Sequence, residues 1–314
     1  MYRIGIDLGG TNIVAGVVDD NHNILATAKC KTACPRPAEE IVADMAKMAM
    51  QAAEKAGISM KDVRGVGVGS PGTCNKDTGV VERSNNLGFI NLPMCKMLEE
   101  ALGVTVAIEN DANAAALGEF KAGAAKGANS CVCITLGTGV GGGVIIDGKV
   151  FCGENFAGTE LGHTVINVGG EPCSCGRKGC WEAYASATAL VRQTRRAMEA
   201  NKDSKMWEIA GTLEKVDGRT AFDAMRAGDA AGIAVVDAYI YYIAVGIINM
   251  INIFQPDVLC VGGGICKEGD TLLVPLRKYI EAERYSRHTE KQTELCVAQL
   301  GNDAGIIGAA CLID

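Results

Sequence analysis

The chain of 314 residues lacks three features, and each absence excludes a large class of proteins. It has no block of lysine and arginine, and its net charge of -7 argues against a nucleic-acid-binding surface. No uninterrupted apolar stretch approaches the ~18 residues needed to span a bilayer; the nearest, 240–254, predicts a buried helix. The N-terminus enters a strand at Tyr2 without a basic and then apolar leader. We therefore expect a cytoplasmic protein with no nucleic-acid partner and no membrane partner.

Two glycine-rich turns are the most informative feature present. The first is Asp7-Leu8-Gly9-Gly10-Thr11, and the second spans 135–143. Each lies between two short apolar runs and predicts a strand, a turn and a second strand. Glycine lets a ligand approach the backbone, and successive N–H groups in such a turn form a concave anion site.

Neither turn matches the familiar nucleotide-binding strings. The P-loop pattern Gly-x4-Gly-Lys-Ser/Thr is absent, and residues 13–18 continue as a strand where the dinucleotide fingerprint requires a helix. Two ordinary glycine-rich hairpins are the alternative. Together the two turns favour a nucleotide held by its phosphates between two related halves.

The fourteen cysteines, without a secretion signal, indicate reduced thiols in a cytosol. Several stand singly in apolar segments and predict small core residues: Cys131, Cys133, Cys260, Cys296 and Cys311. Three others form a Cys-x-Cys-x4-Cys cluster at Cys173, Cys175 and Cys180, and His163 lies ten residues upstream of the first. This set predicts a closed Cys3His metal site, which would be structural because four protein ligands leave no open position. An accidental cluster of core thiols is the alternative. The metal would fold a loop that has too few apolar residues to order itself.

The order of elements predicts two similar α/β units, in agreement with the two-domain prior for this length. We expect a small domain over 1–115, to which a closing helix at 302–314 returns, and a large domain over 116–301 with the metal loop. The strands are predicted at 2–8, 12–19, 23–31, 64–69, 104–109, 130–136, 140–147, 258–262 and 295–299. Helices are predicted at 39–56, from 110 onward, through most of 182–254, and at 302–313.

Three acidic residues are candidates for the chemistry. Asp111 follows a strand and starts a helix, and in a nucleotide-binding α/β protein a carboxylate there lies in the ligand crevice. It could accept a proton from a substrate hydroxyl during phosphoryl transfer. The alternative is helix capping, with Asn110 as the N-cap. Glu160 and Glu182 bracket the metal loop and suit recognition of several hydroxyls, although Glu182 could simply be a helix-start acid.

These motifs together resemble the ROK family of sugar kinases, within the actin, hexokinase and Hsp70 superfamily. The matching residues run from 4 to about 310: both glycine turns, Glu160-Leu161-Gly162-His163, the cysteine cluster through Glu182, and 262–264. The resemblance implies an α/β fold of two actin-like (ribonuclease H-like) domains around an interdomain cleft. Thr159 departs from the pattern, because the family often has glycine there.

The resemblance also implies a role for each matched residue. Asp111 would be the catalytic base for the 6-hydroxyl of the sugar, and Asp7 would help to hold Mg²⁺ through water. Sugar hydroxyls would be bound by Gly72, Asn110, Asp111, Glu160, His163 and Glu182. The phosphates of ATP would be held by Asp7, Gly9, Gly10, Thr11, Asn12, Gly137, Thr138 and Gly139, with Gly263 near the adenosine. Zn²⁺ would be bound by His163, Cys173, Cys175 and Cys180.

The stretches 182–192 and 84–89 most resemble the glucokinases of this family, which predicts glucose as the hexose. Fructokinases, allose kinases and N-acetylmannosamine kinases share the same motifs and stay open as alternatives. A sugar-sensing repressor would need a winged-helix domain before the first turn, and only three residues precede Ile4. An actin-like or chaperone-like ATPase would not need the Cys3His loop. Relatives commonly form homodimers, so we expect one here.

Overall fold

A computed structural model describes residues 1–313 of the chain, which form two compact units. The first unit comprises Met1–Cys133, Gly142–Thr159 and Ala298–Asp314. The second comprises Ile134–Gly141 and Glu160–Val297. The division at residues 115 and 116 stays a sequence-based prediction.

Thirteen strands and ten α-helices make up the part of the chain that the structure describes. The strands are β1 Tyr2–Leu8, β2 Asn12–Val18, β3 Ile24–Lys31, β4 Val63–Ser70, β5 Thr73–Asn75, β6 Val80–Ser84, β7 Phe89–Leu92, β8 Val106–Asn110, β9 Cys131–Leu136, β10 Val140–Ile146, β11 Lys149–Val150, β12 Val258–Gly262 and β13 Glu294–Val297. The helices are α1 Ala38–Lys55, α2 Met94–Leu102, α3 Asp111–Ala122, α4 Glu182–Ala185, α5 Ala187–Ala200, α6 Met206–Ala210, α7 Thr220–Arg226, α8 Ala230–Phe254, α9 Asp270–Glu283 and α10 Ala304–Ala310.

Two five-stranded sheets repeat one topology. Their strand orders are β3-β2-β1-β4-β8 and β11-β10-β9-β12-β13, so in each sheet the first strand of the repeat is central and the third is at an edge. In the first sheet β1 pairs antiparallel with β2 and parallel with β4. The predicted α/β class and the predicted duplication are both confirmed. A small third sheet, β5-β6-β7, was not predicted because its strands have only three to five residues.

The first sheet is covered by α10 at very short range. A Cβ atom built on Gly67 would lie 1.7 Å from the carbonyl oxygen of Ala309, and one on Gly5 would lie 1.8 Å from that of Ile306. Strand β4 alternates valine and glycine, and the pattern predicts one buried face. Both faces are in fact buried, because the glycine face receives the backbone of α10. No side chain larger than hydrogen fits at Gly5 or Gly67.

Helix α3 is also fastened to the C-terminal segment. A Cβ on Gly308 would lie 1.6 Å from the carbonyl oxygen of Ala114, so α10 crosses α3 backbone to backbone. The buried carboxylate of Glu119 accepts hydrogen bonds from the N–H groups of Ala124 (2.9 Å), Gln299 (3.1 Å) and Leu300 (2.8 Å). A buried carboxylate is tolerated where several donors satisfy it. These contacts hold α3, and hence Asp111 at its start, against the sheet.

The second unit is built around α8. This 25-residue helix is long and apolar enough to cross a membrane by length and composition, but 56% of its apolar window is buried inside the protein. It begins ten residues earlier than the segment 240–254 predicted from sequence. Trp181 is fully buried against it: the indole N–H donates to the carbonyl oxygen of Tyr242 (2.8 Å), and the ring occupies the space above Gly246. The tryptophan thereby anchors the end of the predicted metal loop to the helix.

Candidate active site

The first glycine turn joins β1 to β2 and is held in shape from β3. Gly9 N–H donates to the carbonyl oxygen of Asn12 at 2.9 Å, which closes the turn. The fully buried Thr32 makes two further bonds: its hydroxyl donates to Gly9 O (2.6 Å) and its N–H donates to Thr11 O (3.0 Å). Gly10 and Thr11 themselves are exposed, as a phosphate-binding turn requires.

Thr32 was missed by the sequence reasoning, although a signal for it exists. Asn12 pairs with Lys31 in the β2–β3 ladder, so the next residue, Thr32, must come opposite Thr11. A hydroxyl at that register position can only be interpreted once the pairing of the strands is known.

Asp7 lies close enough to Asp111 for the charge of Asp111 to affect its pKa. Burial, and secondly repulsion by Asp111, raises the pKa of Asp7 to about 6. Burial also raises the pKa of Asp111, while the N–H of Ala112 donates to its Oδ1 at 2.9 Å and opposes that rise. Two neighbouring carboxylates in a partly desolvated position are unfavourable unless a cation or a proton compensates them. Hard oxygen ligands of this kind fit Mg²⁺.

Asn110 performs the capping role that was the alternative interpretation, and it also contacts Gly72. Its Oδ1 accepts from the N–H groups of Ala112 (3.0 Å) and Asn113 (3.3 Å), and its Nδ2 donates to Gly72 O (3.1 Å). Gly72 has φ of 108°, and a Cβ atom there would lie 2.2 Å from the carbonyl oxygen of Arg83. Only glycine fits this backbone position. Two predicted sugar-binding residues therefore lie side by side at the start of α3.

A buried polar network beneath Asp111 was not predicted. Glu109 Oε1 accepts from the N–H of Asn110 (2.9 Å) and from Nδ2 of Asn113 (3.0 Å). Asn113 Oδ1 in turn accepts from the hydroxyl of Thr159 at 3.2 Å. Thr159 has φ of 64°, a left-handed conformation that explains why glycine suits this position. Its hydroxyl therefore connects α3 to the segment that leads into Glu160.

In the second unit, Glu182 ties the second glycine turn to the metal loop. Its Oε2 accepts from the N–H of Val140 (3.0 Å), and its Oε1 accepts from the hydroxyl of Ser174 (3.2 Å). Ala187 N–H donates to Gly137 O at 2.8 Å, and the Thr188 hydroxyl donates to Thr138 O at 2.8 Å. Glu182 is the first residue of α4, but its carboxylate accepts hydrogen bonds from the second glycine turn and from the cysteine loop.

The four predicted metal ligands form one cluster. Ligand atoms of His163, Cys173, Cys175 and Cys180 all lie within 4.8 Å of one another. Nδ1 of His163 is 3.5 Å from the Cys173 sulfur, and the sulfurs of Cys175 and Cys180 are 3.7 Å apart. A tetrahedron with Zn–S bonds of about 2.3 Å has ligand separations of about 3.8 Å. Donor types and spacing both fit Zn²⁺.

The remaining predicted residues of the second unit lie around these loops. Glu160 is exposed and precedes a short 3₁₀ turn, Leu161–His163, whose last N–H donates to Glu160 O at 3.0 Å. His163 turns Nδ1 toward Cys173, so Nε2 is the ring nitrogen left for another ligand. Gly263 packs against the end of β9, where a Cβ atom would lie 2.0 Å from the carbonyl oxygen of Leu136. This places Gly263 beside the second glycine turn.

Comparison with known proteins gives concordant results. The model of the ROK family matches residues 3–314. The chain is 37% identical to a glucokinase of Halalkalibacterium halodurans over 99% of this chain and 94% of that protein. It is 36% identical to a glucokinase of Thermotoga maritima over 99% of this chain and 96% of that protein. A crystal structure of a ROK family glucokinase from Streptomyces griseus, in complex with glucose and AMPPNP, superposes with a TM-score of 0.81 at 35% identity and covers 99% of both chains.

Proposed function

Since the chain belongs to the ROK family, we propose that it is an ATP-dependent hexose kinase that converts glucose to glucose 6-phosphate. The observation that carries this proposal is the Asp7–Asp111 pair beside a glycine turn whose carbonyl groups are held from behind by Thr32. Similarity to glucokinases along the full chain supports glucose as the hexose. The stretches 182–192 and 84–89 carry the same indication in the sequence.

Asp111 is the proposed general base. Its Oδ1 is held by the N–H of Ala112, so the carboxyl group has one orientation and Oδ2 is the oxygen expected to take the proton. The proton leaves the 6-hydroxyl of the sugar as that oxygen attacks the γ-phosphorus. In phosphoryl transfer, positioning and charge stabilisation do most of the work, so a modest base suffices. Glu109 and Asn113 fix the start of α3 beneath it.

The phosphates of ATP and Mg²⁺ are assigned to the glycine turns and to Asp7. In the first unit Asp7 would hold Mg²⁺ through water, and the backbone from Gly9 to Asn12 would bind phosphate oxygens. In the second unit the corresponding groups are those of Gly137, Thr138 and Gly139, with Gly263 beside the adenosine. When bound, Mg²⁺ would supply positive charge to the phosphate oxygens and would offset the burial and the repulsion by Asp111 that raise the pKa of Asp7.

The sugar hydroxyls are assigned to groups that the structure already orients. Asn110 and Gly72 offer an amide and backbone groups in the first unit. Glu160, His163 and Glu182 offer partners in the second. If Nδ1 of His163 were to hold Zn²⁺, the Nε2–H group would be able to donate to a sugar hydroxyl, and one residue would serve as both a metal ligand and a sugar ligand. The metal itself would be structural, because His163 and three cysteines complete its shell.

We also propose a homodimer that functions in the cytoplasm without a nucleic-acid or membrane partner. The expectation rests on the resemblance and on the acidic composition. Light scattering coupled to size-exclusion chromatography measures the mass of the particle directly. A monomer at micromolar concentration would contradict the dimer and would leave the kinase assignment unaffected.

A coupled ADP-release assay tests the function. We expect kcat/KM for glucose to exceed that for mannose, fructose, allose and N-acetylmannosamine at one ATP concentration. A site that hydrogen-bonds a given hydroxyl can reject an analogue lacking it by ~10⁴-fold, because its buried groups stay unpaired. If another of these sugars exceeded glucose tenfold, the enzyme would be a hexose kinase of different specificity. No turnover with any of them would overturn the hexose kinase proposal.

A further inference from the structure

Two cysteines outside the candidate site face each other across neighbouring strands. Cys260 lies on β12 and Cys296 on β13, and the two residues are direct partners in a parallel ladder. Their sulfur atoms are 3.3 Å apart, closer than those of Cys131 and Cys133 (3.8 Å) or those of Cys175 and Cys180 (3.7 Å). Both cysteines are predicted from the sequence to be small core residues.

The backbone geometry at this pair is compatible with a covalent bond. Neighbouring strands are about 4.8 Å apart, and the Cα atoms of disulfide-linked residues are usually about 4.4–6.8 Å apart. A disulfide has an S–S length of about 2.05 Å, so the two sulfurs must approach each other by a little more than 1 Å. The partner strand can supply that movement, because β13 has four residues and is the last strand of its sheet.

The two sulfurs also differ in access. Cys260 is completely buried, whereas Cys296 is partly exposed at the sheet edge. A dissolved oxidant therefore meets Cys296 first, and Cys260 is the residue placed to resolve the product. An accessible cysteine next to a resolving cysteine is the arrangement of a reversible thiol oxidation site.

We propose that Cys260 and Cys296 form a reversible disulfide when the protein meets a peroxide. The sulfur of Cys296 attacks one peroxide oxygen, the O–O bond breaks, and Cys296 becomes a sulfenic acid with release of one water. The sulfur of Cys260 then attacks the sulfenic sulfur, the S–O bond breaks, and a second water leaves. Two thiols lose two electrons, hydrogen peroxide gains them, and a dithiol reductant reverses the reaction. This inference does not depend on the proposed kinase activity.

Other cysteines of the chain are poorer candidates for such a bond. Cys266 is close in sequence to Cys260, but its sulfur lies 3.3 Å from the carbonyl oxygen of Val261, and burial raises its pKa to about 11. Cys131 and Cys133 are 3.8 Å apart at the sulfurs but are separated by one residue of the same strand. Cys175 and Cys180 belong to the metal cluster.

Peptide mapping of the peroxide-treated, zinc-loaded protein under non-reducing conditions tests the proposal. Trypsin places Cys260 and Cys266 together in the peptide 227–267, and Cys296 and Cys311 together in 292–314. We expect these two peptides to become linked with loss of two hydrogens, and to separate after treatment with dithiothreitol. The link should persist in Cys266→Ser and Cys311→Ser, the matched controls, and should be absent from Cys260→Ser and Cys296→Ser.

Two results would overturn the assignment. One is the absence of the linked pair from the wild-type protein under conditions that already oxidise Cys175 and Cys180. The other is its persistence in Cys296→Ser, which identifies Cys311 as the reacting residue instead. Cys296 is only half-buried, so Cys296→Ser is expected to fold. The test therefore stays informative even if Cys260→Ser does not fold.

Discussion

Replacing Asp7 by asparagine should stabilise the ligand-free protein while it inactivates the enzyme. The carboxyl group of Asp7 is mostly removed from water and lies near Asp111, so its charged form is disfavoured in the folded state. Asparagine has the same shape and no charge. The substitution therefore removes a cost of folding and at the same time removes the proposed Mg²⁺ contact.

The size of the effect follows from the shift in pKa. The folded-state pKa of Asp7 is about 6 against an ordinary value of 3.8. At about 1.4 kcal/mol per pH unit, this shift destabilises the folded protein by about 3 kcal/mol above pH 7. The folded state binds the proton more tightly than the unfolded state does. The cost is consequently absent below about pH 4, is about half developed at pH 5, and is complete once the pH has passed the folded-state value of about 6.

Urea unfolding of the whole protein measures this effect. The transition of the first unit is followed at pH 5 and at pH 8. We expect Asp7→Asn to have a higher free energy of unfolding than the wild type, with a difference about twice as large at pH 8 as at pH 5, and an unchanged m-value. The exposed Asp77, in the same unit, offers Asp77→Asn as a control that makes the same substitution at a solvent-exposed position. Addition of Mg²⁺ and ATP should narrow the difference, because only the wild type gains from the cation.

The reasoning fails if Asp7→Asn is no more stable than the wild type at pH 8, or if its advantage does not depend on pH. Either outcome would mean that burial of the carboxylate is compensated by the protein itself. Turnover of the same variant in the coupled assay gives an independent reading, since full activity would remove Asp7 from the Mg²⁺ site.

Three further substitutions test other parts of the site. Asp111→Asn should lower kcat by a factor of ~10²–10⁴, while calorimetry should show nearly unchanged binding of ATP and sugar. Near-normal turnover by this variant would rule out Asp111 as the base. Elemental analysis of the wild type should find one zinc per chain. Cys175→Ala should lose this zinc and should have lower stability and lower affinity for sugar. A zinc-free preparation with full activity would contradict the structural role. Thr32→Val removes the hydroxyl that donates to the partly buried carbonyl oxygen of Gly9, at a cost of about 1 kcal/mol. We expect it to raise KM for ATP with little change in KM for sugar, and Thr32→Ser to restore the wild-type value; equal changes in both constants would indicate a general loss of structure.

Much of the fold could be predicted because its signals are local. Strands β1 and β12 begin and end at the predicted residues, and most other predicted strands differ from the structure by one or two residues. These segments are short apolar runs bounded by glycine or by a helix cap, and both features act within a few residues. The short strands of the third sheet carry too few residues for such a pattern.

Several residues of the site acquire their roles only through distant contacts. Thr32 acts on a turn that lies more than twenty residues earlier, and Glu119 binds backbone groups about 180 residues later. Glu182 is predicted from the sequence to bind hydroxyls, with a helix-start acid as the alternative, and neither interpretation anticipates that its carboxylate accepts from Val140 and Ser174. No periodicity or spacing in the chain encodes these distances.

The sequence by itself determined the α/β class, the duplicated units and the residue types of the site. Glycine turns, a Cys3His spacing and a strand-end aspartate have few alternative uses when they occur together in one chain. Tertiary structure alone decided that Gly67 of β4 is buried under α10, that Thr32 and Glu182 hold the two turns, and that burial and the neighbouring Asp111 raise the pKa of Asp7. The physical reason is the same in each case. Burial and charge repulsion depend on which segments meet in space, and that is a property of the packed chain rather than of any one segment.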